Sequence, residues 1–133
     1  MDGAVRQVIE QSNHDAFSGR VSFGAEIGSL MMVGVESYLV DYRTGTATYY
    51  MPDDQTCALS VVIPVMTIPR LFDKPALIKV IRNAQSGVIK YPDFVAQSMA
   101  AGCVGYIVWI TGQQTTYLGR KGVAYTELFL GAN

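Results

Sequence analysis

An internal repeat is the feature that most constrains the fold, because the two halves of the chain align without a gap at an offset of 68 residues. The segment "GVESYLVDYRTGTATYY" (34–50) corresponds to "GCVGYIVWITGQQTTYL" (102–118). The matches fall at turn glycines and at core-type positions, such as Tyr38 with Tyr106. Repeats are best sought before any fold assignment, and two copies alone are too few for a solenoid. The repeat therefore predicts one domain built around a pseudo-twofold axis.

Each copy predicts two helices. In the second copy Asp73 is a suitable N-cap for the first helix, and Gly87 a suitable C-cap. In the first copy Ser22 is a suitable N-cap for the short second helix, which Gly34 ends. The hydrophobic spacing between these residues is that of one helix face.

Three strands then follow in each copy. Around Tyr38 and Tyr106 the apolar period changes to two, and turn residues separate the next strand. Third strands are predicted at 57–63 and 123–130. The fold class is thus α+β: two tandem helix-helix-strand-strand-strand repeats form one single domain, with antiparallel sheet covered by helices. The halves join edge to edge or pack face to face.

The predicted boundaries follow from this pattern. Repeat one covers about 4–63 and repeat two about 73–131, with a proline-bracketed linker at 64–72. The uncharged stretch 94–119 is long enough for a membrane helix, but its counterpart in the first copy carries several charged side chains. We therefore expect a buried helix and a central strand there, and no membrane association.

Low charge is the main compositional signal, since only 16% of the residues are charged, against about 25% in ordinary soluble domains. A small, charge-poor domain leaves apolar area on its surface, which predicts a homo-oligomer, most simply a dimer, or a protein partner. Lysine and arginine are scattered and the net charge is −1, so nucleic-acid binding is not expected. The N-terminal segment lacks a signal-peptide pattern, which predicts a cytoplasmic location.

Two segments carry a family resemblance: "YLVDYRTGTATYYMPD" and "AAGCVGYIVWITGQQTTYLGRKG". They resemble a bacterial and prophage family of unknown function whose members are often labelled "phage envelope protein". The resemblance covers nearly the whole chain and implies no established activity.

The family pattern in the last strand is Tyr-x-Gly-Arg-x-Gly-x-x-His-x-Glu. The residues that fit it are Tyr117, Gly119, Arg120, Gly122 and Glu127. The histidine position is occupied by Tyr125. This departure argues against catalysis by a histidine in this member.

Few residues offer nucleophilic or metal chemistry. His14, the only histidine, lies off the apolar stripe of the first helix and is expected at the surface. Cys57 and Cys103 have no metal-ligand spacing. Cys103 replaces Val35 of the first copy and is expected to be a small core residue, and Cys57 begins a strand without an identifiable positive neighbour to form a thiolate. We expect no metal, no cofactor and no catalytic residue.

The acidic residues within strands give the candidate ligand site. A polar pocket is predicted from Asp41, Arg120 and Glu127, because a carboxylate on a half-buried sheet needs a polar or cationic partner. The tyrosines predicted around it are Tyr38, Tyr49, Tyr106 and Tyr117. The alternative is a solvated sheet face on which Asp41 pairs with Arg43.

Two functional hypotheses follow. The first is a non-catalytic binding or interaction module of prophage origin. It would act through oligomerisation or through a protein partner. The second is a small-molecule-binding protein or enzyme with a cleft lined by tyrosines and carboxylates. A cleft containing a carboxyl of raised pKa favours the second hypothesis.

Overall fold

The computed structural model describes residues 1–129 and contains four helices and six strands within that range. The helices are α1 (Gly3–Phe17), α2 (Phe23–Met32), α3 (Lys74–Gln85) and α4 (Tyr91–Ala100). The strands are β1 (Ser37–Asp41), β2 (Thr46–Tyr50), β3 (Thr56–Ser60), β4 (Cys103–Trp109), β5 (Gln114–Gly119) and β6 (Ala124–Leu128). The fold is therefore α+β, and the order helix-helix-strand-strand-strand occurs twice along the chain.

All six strands form one antiparallel sheet in the order β3-β2-β1-β4-β5-β6. The two halves meet edge to edge through β1 and β4, where Leu39 lies opposite Ile107. The sequence did not distinguish this arrangement from face-to-face packing of two sheets. At the join, Gly105 lies opposite Asp41, and a Cβ on that glycine would collide with the backbone of Val40. A glycine is needed there because the two central strands approach closely.

The helix ends follow the predicted cap chemistry. The Asp73 carboxylate accepts a hydrogen bond from the Ala76 N–H at 3.0 Å, and the Ser22 hydroxyl accepts one from the Ala25 N–H. Gly34 has a φ of +86° after α2, a conformation that side chains with a Cβ rarely adopt. These contacts satisfy polar groups that a helix end leaves without partners.

The core lies between one face of the sheet and the helices. Side chains from that face, such as Val40 and Val108, are buried in one cluster with helix residues such as Ile9, Leu30 and Leu77. The other sheet face is less covered, and the lone tryptophan, Trp109, is exposed there. The alternation of buried and less buried residues along each strand produces this difference.

The third strands are shorter than predicted. β3 ends at Ser60 rather than residue 63, because Ser60 pairs with Thr46, the first residue of β2, and no partner strand continues beyond it. β6 begins at Ala124 rather than 123. The predicted end of that strand at residue 130, and of the repeat at 131, lies outside the described residues.

The uncharged stretch 94–119 contains most of α4, followed by β4 and β5. β4 is a central strand of the sheet, as the sequence predicted. No helix within residues 1–129 has the length and apolar character needed to cross a membrane.

Candidate functional site

A cavity of about 600 Å³ lies between the sheet and one end of the helix layer. The C-terminal ends of α1 and α3 and the N-terminal ends of α2 and α4 border it, because each helix pair reverses direction there. The sheet contributes its floor through Tyr106 of β4, Thr115 and Tyr117 of β5, and Glu127 of β6. The cavity is thus built from both halves of the chain.

Glu26 of α2 is the buried acidic residue in the cavity wall, with 9% of its surface exposed. The Tyr38 hydroxyl donates a hydrogen bond to its Oε1 at 2.8 Å. Burial raises the pKa of the Glu26 carboxyl from 4.5 to about 7, and the bond from Tyr38 opposes part of this rise. The group can therefore gain or lose a proton near neutral pH.

The second oxygen of this carboxyl, Oε2, has no hydrogen-bond or ion-pair partner within residues 1–129. No fully buried side-chain oxygen or nitrogen in that range lacks a partner. Glu26 itself lines the cavity. Oε2 is therefore the carboxyl oxygen on which a bound molecule can be tested.

Glu127 of β6, which also lines the cavity, has its charge balanced by the protein. The Arg82 guanidinium lies 2.5 Å from its Oε1, and the Gln85 amide donates to Oε2 at 3.4 Å. The Tyr125 hydroxyl also donates to Oε1 at 3.3 Å. The carboxylate thus contacts a cation, an amide and a phenol.

Three tyrosines of the second half present aromatic surface to the cavity: Tyr91, Tyr106 and Tyr117. The hydroxyls of Tyr91 and Tyr106 are hydrogen-bonded to each other. Burial raises the pKa of all three phenols above the ordinary value, so they stay protonated at neutral pH. They offer ring faces and hydroxyl groups, but no charge.

The tyrosines of the first half lie beneath this wall. Tyr38 and Tyr49 stack with ring centroids 5.0 Å apart, and both are almost fully buried. The Tyr49 hydroxyl accepts a hydrogen bond from the Asn13 amide at 3.0 Å. Tyr38 reaches the candidate site indirectly, through its bond to Glu26.

The structure brings some predicted site residues together and separates others. Glu127, Tyr106 and Tyr117 border one cavity, whereas Asp41 and Arg120 lie elsewhere. The Asp41 carboxylate accepts hydrogen bonds from the backbone N–H groups of Arg43 and Thr44, at 2.9 and 3.4 Å. It therefore shapes the turn after β1 instead of pairing with the Arg43 guanidinium.

Arg120 belongs to a second, smaller cavity of about 330 Å³ beside the linker. Its guanidinium donates to the Ile68 carbonyl at 3.2 Å. Arg43 and Met66 also line this cavity. The arginine thus holds the linker against the end of β5.

The sequence reasoning missed Glu26 and Tyr91 as cavity residues. A signal for Glu26 exists in "FGAEIGSLMM", where it is the only charged residue of an otherwise apolar or small helix. At the 68-residue offset Glu26 corresponds to Phe94, which is another sign of an acid at a core position. The signal for Tyr91 is its place at the start of α4, next to Pro92.

The histidine and the two cysteines do not line the cavity. His14 is exposed, and Cys57 and Cys103 are buried free thiols. Burial raises the pKa of Cys103 to about 11, which leaves it a poor nucleophile. Among residues 1–129, no cluster of three or more histidine, cysteine or acidic side chains is arranged to hold a metal ion.

Similarity to known proteins identifies a family but no activity. No curated protein matches the chain. The model of the family described as "Protein of unknown function (DUF1398)" matches residues 11–128, which is most of the chain. The chain therefore belongs to the DUF1398 family, whose function is unknown.

Proposed function

We propose that this protein binds a small organic molecule in the cavity between the helix ends and the sheet. The observation that carries the proposal is the buried Glu26 carboxyl, which lines the cavity and has no partner for Oε2 within residues 1–129. The cavity volume of about 600 Å³ falls in the range of about 300–1,000 Å³ that is typical of ligand sites.

Stability arguments support a ligand as the reason for this arrangement. A cavity costs stability because its wall atoms lose packing contacts. A buried carboxyl costs more, because water solvates the charged form better than the protein interior does. A protein that carries both in one place gains from a bound molecule that fills the space and bonds the free oxygen.

A substitution that narrows the cavity tests the proposal. A Cβ added at Gly24, which lines the cavity, meets no atom within 4 Å. We expect Gly24→Phe to fold and to reduce ligand binding at least tenfold, a change of about 1.4 kcal/mol. The measurement is a titration with a library of small aromatic molecules, monitored through the amide NMR resonances of Ala84, Tyr91 and Thr115.

Gly28→Phe is the matched control. Gly28 lies one turn further along the same face of α2, its added Cβ also meets open space, and it does not line the cavity. Hits that shift the cavity resonances and persist in Gly28→Phe support the proposal. A library without such hits, or equal loss of binding in both variants, contradicts it.

The interaction module remains the second candidate, supported by apolar side chains at the surface. The most exposed of them are Met32, Val62, Val65, Leu71 and Val88. Contact between two copies of the chain removes such area from water, so a homodimer is the form we propose. Light scattering that shows only a monomer at high concentration contradicts this second candidate.

We also infer that the two halves arose by duplication of one ancestral unit. Support comes from the ungapped 68-residue offset and from the positive φ angles at Gly34 and Gly102, which are +86° and +92°. Superposition of residues 4–63 on 73–129 tests the duplication, and different paths of the strands contradict it. A prophage origin and a cytoplasmic location remain proposals on the sequence signals alone.

A further inference from the structure

The cavity contains one acid whose charge the protein does not balance. No arginine, lysine or histidine among residues 1–129 forms an ion pair with Glu26. The polar side chain that contacts the carboxyl is the neutral Tyr38 hydroxyl, at 2.8 Å. A buried carboxylate is stabilised mainly by a cation or by several hydrogen bonds, and here a cation is missing.

Glu127 lines the same cavity, and its charge is balanced by an ion pair with Arg82. Its oxygens already contact Arg82 and Gln85. A cationic ligand gains little there, because the guanidinium occupies the carboxylate and repels a second positive charge. The attraction for a cation is therefore concentrated on Oε2 of Glu26.

The rings of the cavity suit a cation with an apolar body. Tyr91, Tyr106 and Tyr117 line it, and the faces of tyrosine rings attract ammonium groups through their negative electrostatic potential. Ile27 and Ile81 add aliphatic surface to the wall. An inorganic cation uses little of this surface, whereas an organic amine contacts both the acid and the rings.

Two basic residues lie at the rim, not in the interior. Arg20 and Lys90 border the cavity but are exposed to solvent, and Arg20 is paired with Asp15 at 3.9 Å. Water and salt screen charges in such positions. The charge preference inside the cavity is therefore set by Glu26.

We propose that the ligand is a protonated organic amine with an aromatic or aliphatic body, whose ammonium group donates to Oε2 of Glu26. The inference rests on the proposed function, since it names the chemical class of the molecule that the cavity holds. Binding is non-covalent, and the amine supplies the positive charge that the protein lacks next to this acid.

Three molecules that share one ring system test the charge preference: tryptamine, tryptophol and indole-3-acetate. They carry a cation, a neutral hydroxyl and an anion on the same indole body. We expect tryptamine to bind at least about tenfold more tightly than tryptophol, as a charge-assisted hydrogen bond implies, and indole-3-acetate to bind most weakly. Isothermal titration calorimetry on the full chain at pH 8 measures the three affinities.

Glu26→Gln separates the charge from the shape of the site. The amide oxygen of glutamine still accepts from Tyr38, so we expect the fold to persist and the tryptamine-to-tryptophol ratio to fall to about one. Glu36→Gln is the control for the same loss of charge at an exposed acid that does not line the cavity, and it should keep the preference. Equal loss of preference in both variants contradicts the assignment to Glu26.

The pH profile gives a second readout. The groups around the Glu26 carboxyl are Tyr38, Tyr49, Tyr91 and Tyr106, all phenols whose pKa is raised, so they do not titrate in this range. Tryptamine stays protonated below about pH 10, like a lysine side chain. Its affinity should therefore fall about tenfold from pH 8 to pH 6, as Glu26 gains its proton.

The outcomes distinguish the two proposals. If tryptophol binds as tightly as tryptamine and Gly24→Phe weakens both, the cavity is a ligand site but its ligand is not an amine. If tryptamine shows no binding while neutral or anionic library molecules bind, the amine inference is wrong in the same way. If no molecule binds in the cavity at all, both proposals fail.

Discussion

Two tyrosine pairs occupy equivalent places in the two halves of the sheet, yet only one borders the cavity. Tyr38 lies directly opposite Tyr49 on β1 and β2, and Tyr106 opposite Tyr117 on β4 and β5. The rings are 5.0 Å apart in the first pair and 5.9 Å in the second. All four rings belong to the buried core, but only the second pair also lines the cavity.

The helix above each pair explains the difference. Glu26 of α2 lies over the first pair and accepts from Tyr38. The corresponding residue of α4 is Phe94, whose ring lies 6.1 Å from that of Tyr106 and 6.2 Å from that of Tyr117. The candidate site thus takes its acid from one half and its open aromatic surface from the other. The two halves contribute different chemistry to the cavity, an acid from α2 and aromatic rings from β4 and β5.

The largest expected effect is the loss of a ring from the first pair, which does not line the cavity. Tyr49→Ala removes a ring that is 2% exposed, and we expect it to lower the free energy of unfolding by about 3–5 kcal/mol. Tyr117→Ala should cost less, below about 3 kcal/mol, because its ring already borders a cavity. Urea unfolding of both variants measures the difference. Equal losses of unfolding free energy would show that the cavity beside the second pair does not lower the cost of removing its ring.

The second prediction concerns pH and the acid that distinguishes the halves. The pKa of Glu26 is about 7 in the folded protein, whereas an unfolded carboxyl has a value near 4.5. Below pH 4.5 the group is protonated in both states and adds no pH dependence. Between pH 4.5 and 7 the unfolded state loses its proton first, so stability falls as pH rises, by about 3 kcal/mol in total, and then levels off.

Glu26→Gln removes this dependence. We expect the variant to gain stability relative to the natural chain as pH rises from 4.5 to 7, and the gain to be constant above pH 7. Thermal unfolding of both proteins over that range measures the gain, and groups that titrate in both cancel in the difference. A variant that is less stable at pH 8 than the natural chain would show that the charged form is well accommodated without a ligand.

The sequence predicted the framework better than the site because the two depend on different information. Helix caps such as Asp73 and Ser22 act on backbone groups within three residues, so local sequence reveals them. Strand alternation around Tyr38 is also local. The site depends on which side chains meet across the fold, and Glu26 and Glu127 come from opposite ends of the chain.

Asp41 and Arg120 illustrate the same limit from the other side. The sequence favoured Asp41 as an acid within a predicted strand and Arg120 as a cation just before the last strand. Both side chains bond to the backbone instead. The Asp41 carboxylate accepts from the N–H groups of Arg43 and Thr44, just after its own strand. The Arg120 guanidinium donates to the Ile68 carbonyl in the linker. Composition and spacing do not distinguish a carboxylate that caps a turn from one that faces a cavity.

The smallest expected effect separates the hydroxyls of the two pairs. Tyr38→Phe removes the donor to Oε1 of Glu26 and leaves that buried oxygen without it, which should cost about 1–2 kcal/mol at pH 8. Tyr106→Phe removes a bond to the Tyr91 hydroxyl at the cavity wall, where water can replace it, and should cost less than about 1 kcal/mol. Chemical unfolding at pH 8 and pH 4.5 tests this, because at pH 4.5 the protonated acid needs its donor less and the Tyr38→Phe penalty should shrink. A penalty for Tyr38→Phe that is the same at both pH values would mean that the phenol contributes through packing, not through its bond to the acid.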